Sequence, residues 1–195
     1  EKMPKAELID AFSLDQVSPK ASVLDEKKLE WMNGLYMAEC STDVIMNEVL
    51  PVWIEKGWVN ATASSSDPRL VSIVDIMKIR AKRLTDLADN TFYFFVDPVE
   101  YEEKAVRKNF TPASKVLLET IHRELTAVND FSHESLEALY RTIAEKTGVS
   151  SGQLIHPTRL SISGVSFGPG LFELMELFGK ETVLRRIENA IKKIA

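Results

Sequence analysis

An arginine and a loop of small residues stand before an amphipathic segment near the end of the chain, between His156 and Lys180. Arg159 carries a permanent charge, and the serines and glycines after it are typical of a turn. Pro169 fits the first position of a helix, whose start leaves backbone N–H groups free. Such a surface suits phosphates or the edges of unpaired bases. The pattern equally fits a plain connection between two helices of a bundle, so both interpretations stay open.

The chain offers little else that could do chemistry. Its three histidines, His122, His133 and His156, fall in separate segments without a paired spacing, so neither a metal site nor a histidine-based triad is expected. Cys40 is the single cysteine, which excludes an internal disulfide and a cysteine-rich zinc site. No glycine-rich nucleotide loop is present. The sequence therefore predicts no catalytic residue and no metal ligand.

The charge balance restricts where a polyanion could bind. The 195 residues carry 24 lysines and arginines against 29 acidic residues, a net charge of −5. Because a basic signature of the whole chain is missing, any nucleic-acid site has to be local. No apolar run reaches the roughly 18 residues of a membrane span, and no signal peptide is visible. A cytoplasmic protein without a membrane segment is expected.

The spacing of apolar residues predicts helices along almost the whole chain. Asp67 and Pro68 form a cap and a first turn, from which the pattern predicts one long helix that includes Arg80. A boundary is expected between residues 110 and 111. The predicted fold class is all-α, with two helical-bundle subdomains, 1–110 and 111–195.

Two local patterns give further expectations. Asn33 and Gly34 are expected to end or bend an early helix, in which the spacing of Trp31 and Tyr36 places both aromatic rings in the core. The aromatic run at 92–95 has strand propensity but no neighbouring strand. We therefore expect it to be a helix end packed into the core.

Three segments, in order, carry a resemblance to a known family. The first is DEKKLEWMNGLY at 25–36, preceded by FSLDQVS at 12–18. The second is IMKIRAKRLTDLADNTFYFF at 76–95. The third is PTRLSISGVSFGPGLFELMELFGKETVLRRIENAI at 157–191. Together they resemble the C-terminal anticodon-binding region of bacterial-type glutamyl-tRNA synthetases, which are class I enzymes.

The resemblance implies that this chain holds tRNA(Glu) and is not catalytic by itself. The parent enzyme would ligate glutamate to the tRNA with ATP and Mg²⁺, using a catalytic half that this chain lacks. This fragment would have no cofactor of its own. Its partners would be the tRNA and the catalytic half of the same polypeptide, and a monomer is expected.

The resemblance also assigns roles to five residues. Arg80 matches an arginine that contacts the third anticodon base, where glutamate and glutamine tRNAs differ, and Arg159 matches one that contacts the first base. Gly168, Pro169 and Leu171 match the loop and helix start over which the splayed bases lie. Some family members have a threonine in place of Gly168, so its hydroxyl group is missing here. Arg80 favours discrimination against the glutamine tRNA, and Gly168 leaves that question open.

Four basic residues, Lys28, Lys78, Lys82 and Arg83, are further candidates for contacts with the tRNA backbone. Such contacts position a nucleic acid without specifying its sequence. Without the resemblance, Arg80 on so basic a segment would be interpreted as a solvent-facing or ion-paired arginine.

A second function class remains, a stand-alone helical protein-interaction module derived from such a region. The two classes differ in the surface that they require. RNA binding requires Arg80 and Arg159 on one face, with the loop at Gly168 beside them, whereas a protein partner requires an exposed apolar groove there.

Overall fold

The computed structural model describes residues 2–17 and 23–194, and every regular element in this part of the chain is helical. None of its helices is long and apolar enough to cross a membrane. The α-helices are α1 (Lys5–Ala11), α2 (Glu26–Glu39), α3 (Thr42–Glu55), α4 (Pro68–Lys78), α5 (Leu84–Asn90), α6 (Glu103–Asn109), α7 (Pro112–Ala127), α8 (His133–Thr147), α9 (Ser151–Ser163), α10 (Leu171–Phe178) and α11 (Lys180–Lys193). Two 3-10 turns span Leu14–Gln16 and Phe92–Phe94. The predicted all-α fold class is confirmed.

The start of α4 follows the predicted capping pattern. The Asp67 carboxylate accepts hydrogen bonds from the backbone N–H groups of Arg69, at 2.8 Å, and Leu70, at 3.3 Å. Pro68 occupies the first turn, where its missing N–H costs nothing. Polar side chains in this way satisfy donors that have no partner inside the helix.

The single long helix predicted through Arg80 is wrong, because α4 ends at Lys78 and α5 begins at Leu84. Both helices pack on α3. A single straight helix of their combined length would extend past α3 and lose part of this contact. The Arg80 N–H bonds to the Met77 carbonyl and tightens the last turn. In the break, the Asn33 side chain donates to the Lys82 carbonyl, so a long-range contact compensates for a lost helical bond.

Two expectations for α2 are also wrong: that the helix ends at Asn33 and Gly34, and that Trp31 and Tyr36 lie in the core. The helix continues through Asn33 and Gly34, and the missing side chain of Gly34 admits the backbone of Ala81 and Lys82 at van der Waals distance. Trp31 and Tyr36 are not core residues, because they are 51% and 44% exposed. Apolar spacing on a helix predicts a common face, but it does not show which partner covers that face.

The loop before α10 is shorter than the small residues suggest. Helix α9 includes Arg159 and continues to Ser163, and the hydroxyls of Ser161 and Ser163 donate to carbonyls one turn earlier. It ends at Gly164, whose positive φ of 79° suits glycine. Helix α10 begins at Leu171. The prediction that Pro169 is its first residue is therefore wrong, because Pro169 precedes the helix. The connecting loop is 164–170.

One continuous apolar core holds the helices together. Helices α7, α9 and α11 pack against one another, and α3 packs on α4 and α5. Helix α10 contacts α4 as well as α8 and α11, so it links the two groups. The aromatic run is a 3-10 turn with Tyr93 and Phe94 buried, which agrees with its expected place in the core. The division into subdomains 1–110 and 111–195 stays a prediction.

A buried arginine also joins the two groups of helices. The Arg186 side chain on α11 is 2% exposed. Its Nε donates to the Asp97 carboxylate at 2.8 Å. Its Nη1 donates to the carbonyls of Tyr93, at 2.8 Å, and Ile162, at 2.6 Å, and its Nη2 donates to that of Val96, at 3.0 Å. One guanidinium therefore fixes the 3-10 turn, the segment after it and α9 relative to α11.

We expect Arg186→Met to lower the free energy of unfolding by about 3 kcal/mol, because it leaves buried carbonyls without a donor. Urea unfolding followed by circular dichroism measures the change. Arg185→Met is the matched control, since Arg185 binds the same Asp97 carboxylate but is half exposed, and it should cost below about 1 kcal/mol. Equal losses in the two variants would contradict the role of Arg186.

Candidate nucleic-acid interface

A cavity of about 320 Å³ opens where the segment after α4 meets the loop before α10. It brings together Arg80 and Gly168, two of the predicted site residues, although they are far apart in the sequence. A volume of this size exceeds that of a single nucleobase. The lining residues are Met77, Arg80, Ala81, Asp86, Asn90, Phe167 and Gly168.

Arg80 lies in the turn after α4 with its side chain partly exposed. Its Nη1 donates to the Ile76 carbonyl, and its Nη2 lies 3.9 Å from the Glu173 carboxylate on α10. The guanidinium is therefore anchored from both groups of helices. Its planar N–H donors suit the carbonyl and ring-nitrogen acceptors of a base edge.

Arg159 lies one layer deeper, on α9. Its side chain is half-buried, and its Nη1 is buried without a hydrogen-bond partner in the part of the chain that the structure describes. Burial lowers the pKa of Arg159 below its ordinary value, and the nearby charge of Arg80 contributes to the same effect. A desolvated, charged donor without a partner is costly. An acceptor from a ligand would satisfy it.

Gly168 lines the cavity and lies next to Arg159. Its φ is 129°, a conformation that residues with side chains rarely adopt. A β-carbon at this position would lie 2.9 Å from the Tyr93 hydroxyl and 3.5 Å from Arg159 Nη1. Burial raises the pKa of Tyr93 to about 12, so its hydroxyl stays protonated beside the two arginines. A threonine cannot fit here without displacing Tyr93.

The side chains of the other two predicted residues, Pro169 and Leu171, are buried, and Leu171 is only 4% exposed. Their side chains therefore hold the loop to the core. The Glu173 carboxylate accepts the Gly170 N–H at 3.0 Å, so the start of α10 is capped from within.

The four predicted backbone-binding residues differ in availability. Lys28 and Lys82 are exposed. Arg83 is exposed but paired with Glu30. Lys78 is only 16% exposed and contacts the Cys40 carbonyl, the Thr42 hydroxyl and Asp75, so its ammonium group is committed to the fold.

Sequence reasoning missed three side chains that line the cavity, Phe167, Asp86 and Asn90, and Glu173, which lies beside Arg80. Phe167 is 47% exposed at the cavity rim. An aromatic residue among small residues in a loop was a signal, because such rings stack on unpaired bases. Asp86 and Asn90 lie on α5 at the spacing of one helical turn. No sequence signal linked that helix to the loop, since the contact is long-range.

The chain matches known proteins over its whole length. The family model described as "Anticodon binding domain" matches residues 44–191. A glutamate–tRNA ligase of Moorella thermoacetica is 43% identical over 196 residues, which cover 100% of this chain and 40% of the relative. A glutamate–tRNA ligase of Caldanaerobacter subterraneus subsp. tengcongensis is 40% identical and covers 95% of the chain and 38% of the relative. The match falls in the C-terminal part of these relatives.

Solved structures show the same similarity. The crystal structure of a glutamate tRNA ligase from Elizabethkingia meningosepticum superposes with a TM-score of 0.84 at 30% identity, over 97% of this chain and 37% of that one. A glutamate-tRNA synthetase from Elizabethkingia anophelis gives 0.80 at 29% identity, over 96% and 36%. The chain thus spans about two fifths of the length of the curated relatives that it matches.

We expect Gly168→Ala to destabilise the fold by about 2 kcal/mol, through backbone strain and the close approach to Tyr93. Thermal unfolding measures the loss. Gly148→Ala is the matched control, because Gly148 also has a positive φ, of 68°, but nothing lies within 4 Å of its missing β-carbon; it should lose about 1 kcal/mol. Adding Tyr93→Phe to Gly168→Ala should recover part of the difference. Equal losses in the two alanine variants would rule out the Tyr93 contact.

Proposed function

The chain belongs to the anticodon-binding domain family, and from that membership we propose that it binds the anticodon loop of tRNA(Glu) as part of a glutamate–tRNA ligase. The observation that carries this proposal is the cavity at the junction of the two helix groups. There Arg80 and Gly168 line one cavity, and Arg159 Nη1 lies 3.5 Å from where a β-carbon on Gly168 would be. The polar side chains Arg80, Asp86 and Asn90 line this cavity together with apolar ones, so it offers both hydrogen bonds and stacking contacts, which supports RNA binding.

In this proposal Arg80 contacts the third base of the anticodon. A guanidinium donates to the acceptors on the Watson–Crick edge of cytosine, whereas guanine presents N–H donors on its matching edge. One good contact of this kind contributes on the order of 1–3 kcal/mol of discrimination, by analogy with base recognition in DNA. The parent enzyme would then favour tRNA(Glu) over tRNA(Gln).

The buried Nη1 of Arg159 supports a contact with another base of the anticodon, the first in our proposal. The backbone at Gly168, Pro169 and Leu171 forms the surface over which the bases lie. Phe167 at the rim adds a ring on which a base can stack. In this proposal the exposed residues Lys28, Lys82 and Arg83 contact phosphates. Lys78 contributes less, because its ammonium group already donates to the Cys40 carbonyl and the Thr42 hydroxyl.

The parent protein in this proposal is a monomeric, cytoplasmic class I synthetase that ligates glutamate to tRNA with ATP and Mg²⁺. Its relatives are glutamate–tRNA ligases, and the match lies in their C-terminal part. The catalytic half of the same polypeptide would supply the nucleotide chemistry. This chain would position the tRNA and take no direct part in catalysis.

The exposed apolar surface of α1 and α2 supports contact with that catalytic half. Helix α1 buries no residue, and α2 buries only Met37. An isolated helix of seven residues is not stable in water, and α1, the residue after it and α2 expose several large apolar side chains. That set comprises Leu8, Ile9, Phe12, Leu29, Trp31 and Tyr36.

The alternative function, a stand-alone protein-interaction module, gains some support from the same surface. It does not explain the unpaired Nη1 of Arg159 or the cavity at Arg80. We therefore favour tRNA binding.

We expect the chain to bind a tRNA(Glu) transcript more tightly than the same transcript with guanine at the third anticodon position. Arg80→Ala should remove that preference, a change of about tenfold. Fluorescence anisotropy at two salt concentrations measures both affinities. Arg107→Ala is the matched control, because Arg107 is exposed on α6 and pairs only with Glu103 one turn earlier; it should leave the preference intact. Absence of binding to either transcript by the folded chain would contradict the proposal.

We also expect Trp31→Ser to weaken association with the N-terminal part of the Moorella thermoacetica ligase, supplied as a separate protein, at least about fivefold, since buried tryptophans dominate interface energies. Isothermal titration calorimetry measures the affinity. The control is Val116→Ser on α7, a substitution of an apolar residue that is somewhat more exposed than Trp31 and lies on a different helix. Equal affinities of the two variants would contradict an interface at α2.

A further inference from the structure

Glu173 on α10 contacts both Arg80 and Gly170, the last residue of the loop before α10. We propose that Glu173 is a positioning residue that orients Arg80 toward a base edge and disfavours binding of a phosphate at the same place. This inference rests on the proposed tRNA function. It adds a residue that determines specificity by acting through Arg80.

The geometry shows how one carboxylate reaches both elements. Oε2 of Glu173 accepts the Gly170 N–H at 3.0 Å and lies 3.9 Å from Arg80 Nη2. On the opposite side, Arg80 Nη1 donates to the Ile76 carbonyl. One hydrogen bond and one longer ionic contact, from two different helices, therefore restrict the guanidinium of Arg80. The remaining N–H donors of the planar group can then meet a ligand in a preferred direction.

The charges around Arg80 determine which ligand it can accept. Glu173 lies 3.9 Å from its Nη2, and Asp86 lines the same cavity, so two carboxylates lie near one guanidinium. A phosphate entering the cavity would be repelled by both, whereas a base edge presents neutral acceptors. The Arg80–Glu173 contact is partly exposed, so it is weak alone. The two negative charges together favour a base over a phosphate.

The capping bond links this effect to the loop. The oxygen that faces Arg80 also holds the N–H of Gly170, the residue before α10. A shift of the loop 164–170 on binding would therefore move the carboxylate and release Arg80. Glu173 thus couples the position of the loop to the availability of the arginine.

Glu173→Gln separates these roles, because glutamine keeps an acceptor for the Gly170 N–H and loses the charge. The matched control is Glu176→Gln, one turn further along α10, where the side chain is exposed. We expect Glu173→Gln to leave thermal unfolding unchanged and to reduce the preference for tRNA(Glu) over the third-base variant about threefold, the size of one exposed ion pair. The slope of log affinity against log salt should steepen by about 0.7, as expected for one added phosphate contact.

The same substitution in the Arg80→Ala background tests whether Glu173 acts through Arg80. There it should change neither the salt slope nor the preference. An unchanged slope and preference in Glu173→Gln alone, or the same changes without Arg80, would overturn the inference while the tRNA function stands. Failure of the unmodified chain to bind either transcript would overturn both.

Discussion

The buried guanidinium of Arg186 is the constraint on which the other features depend. Three backbone carbonyls and the Asp97 carboxylate accept its hydrogen bonds, and its cation lies 4.4 Å from the ring centre of Phe178. Because a buried charge is tolerated only with such a complete set of partners, the aromatic turn, α9 and α11 have essentially one relative arrangement. That arrangement places Tyr93 beneath Gly168 and Arg159 behind it.

The candidate site is built outward from this core. Tyr93 fills the space that a side chain at 168 would need, and this brings the loop backbone close to Arg159. Arg80 reaches the same cavity from the other group of helices, because α4 ends at Lys78 and packs against α10. The site therefore consists of two fixed arginines around a backbone loop, with Phe167 at the rim.

Electrostatics explains how a chain with a net charge of −5 can have an RNA site. Most of its cations are paired on the surface or, like Lys78, bound to the fold. The cations at the cavity are few and accompanied by carboxylates. Affinity from the backbone charge of RNA is consequently limited, and the site depends on directed hydrogen bonds. Recognition of bases suits such a surface better than sequence-independent binding does.

The sequence by itself determined the helical class, the caps at Asp67 and Pro68 and the likeness to an anticodon-binding region, since periodicity, capping and motifs are local properties. It also predicted site roles for Arg80, Arg159 and Gly168, and these stay predictions. Only the tertiary structure decided that α4 breaks before Arg80, that Arg159 lies within α9, and that Trp31 and Tyr36 are exposed. It also decided that Glu173 faces Arg80. These features depend on hydrogen bonds and packing between residues far apart in the chain, which local spacing does not encode.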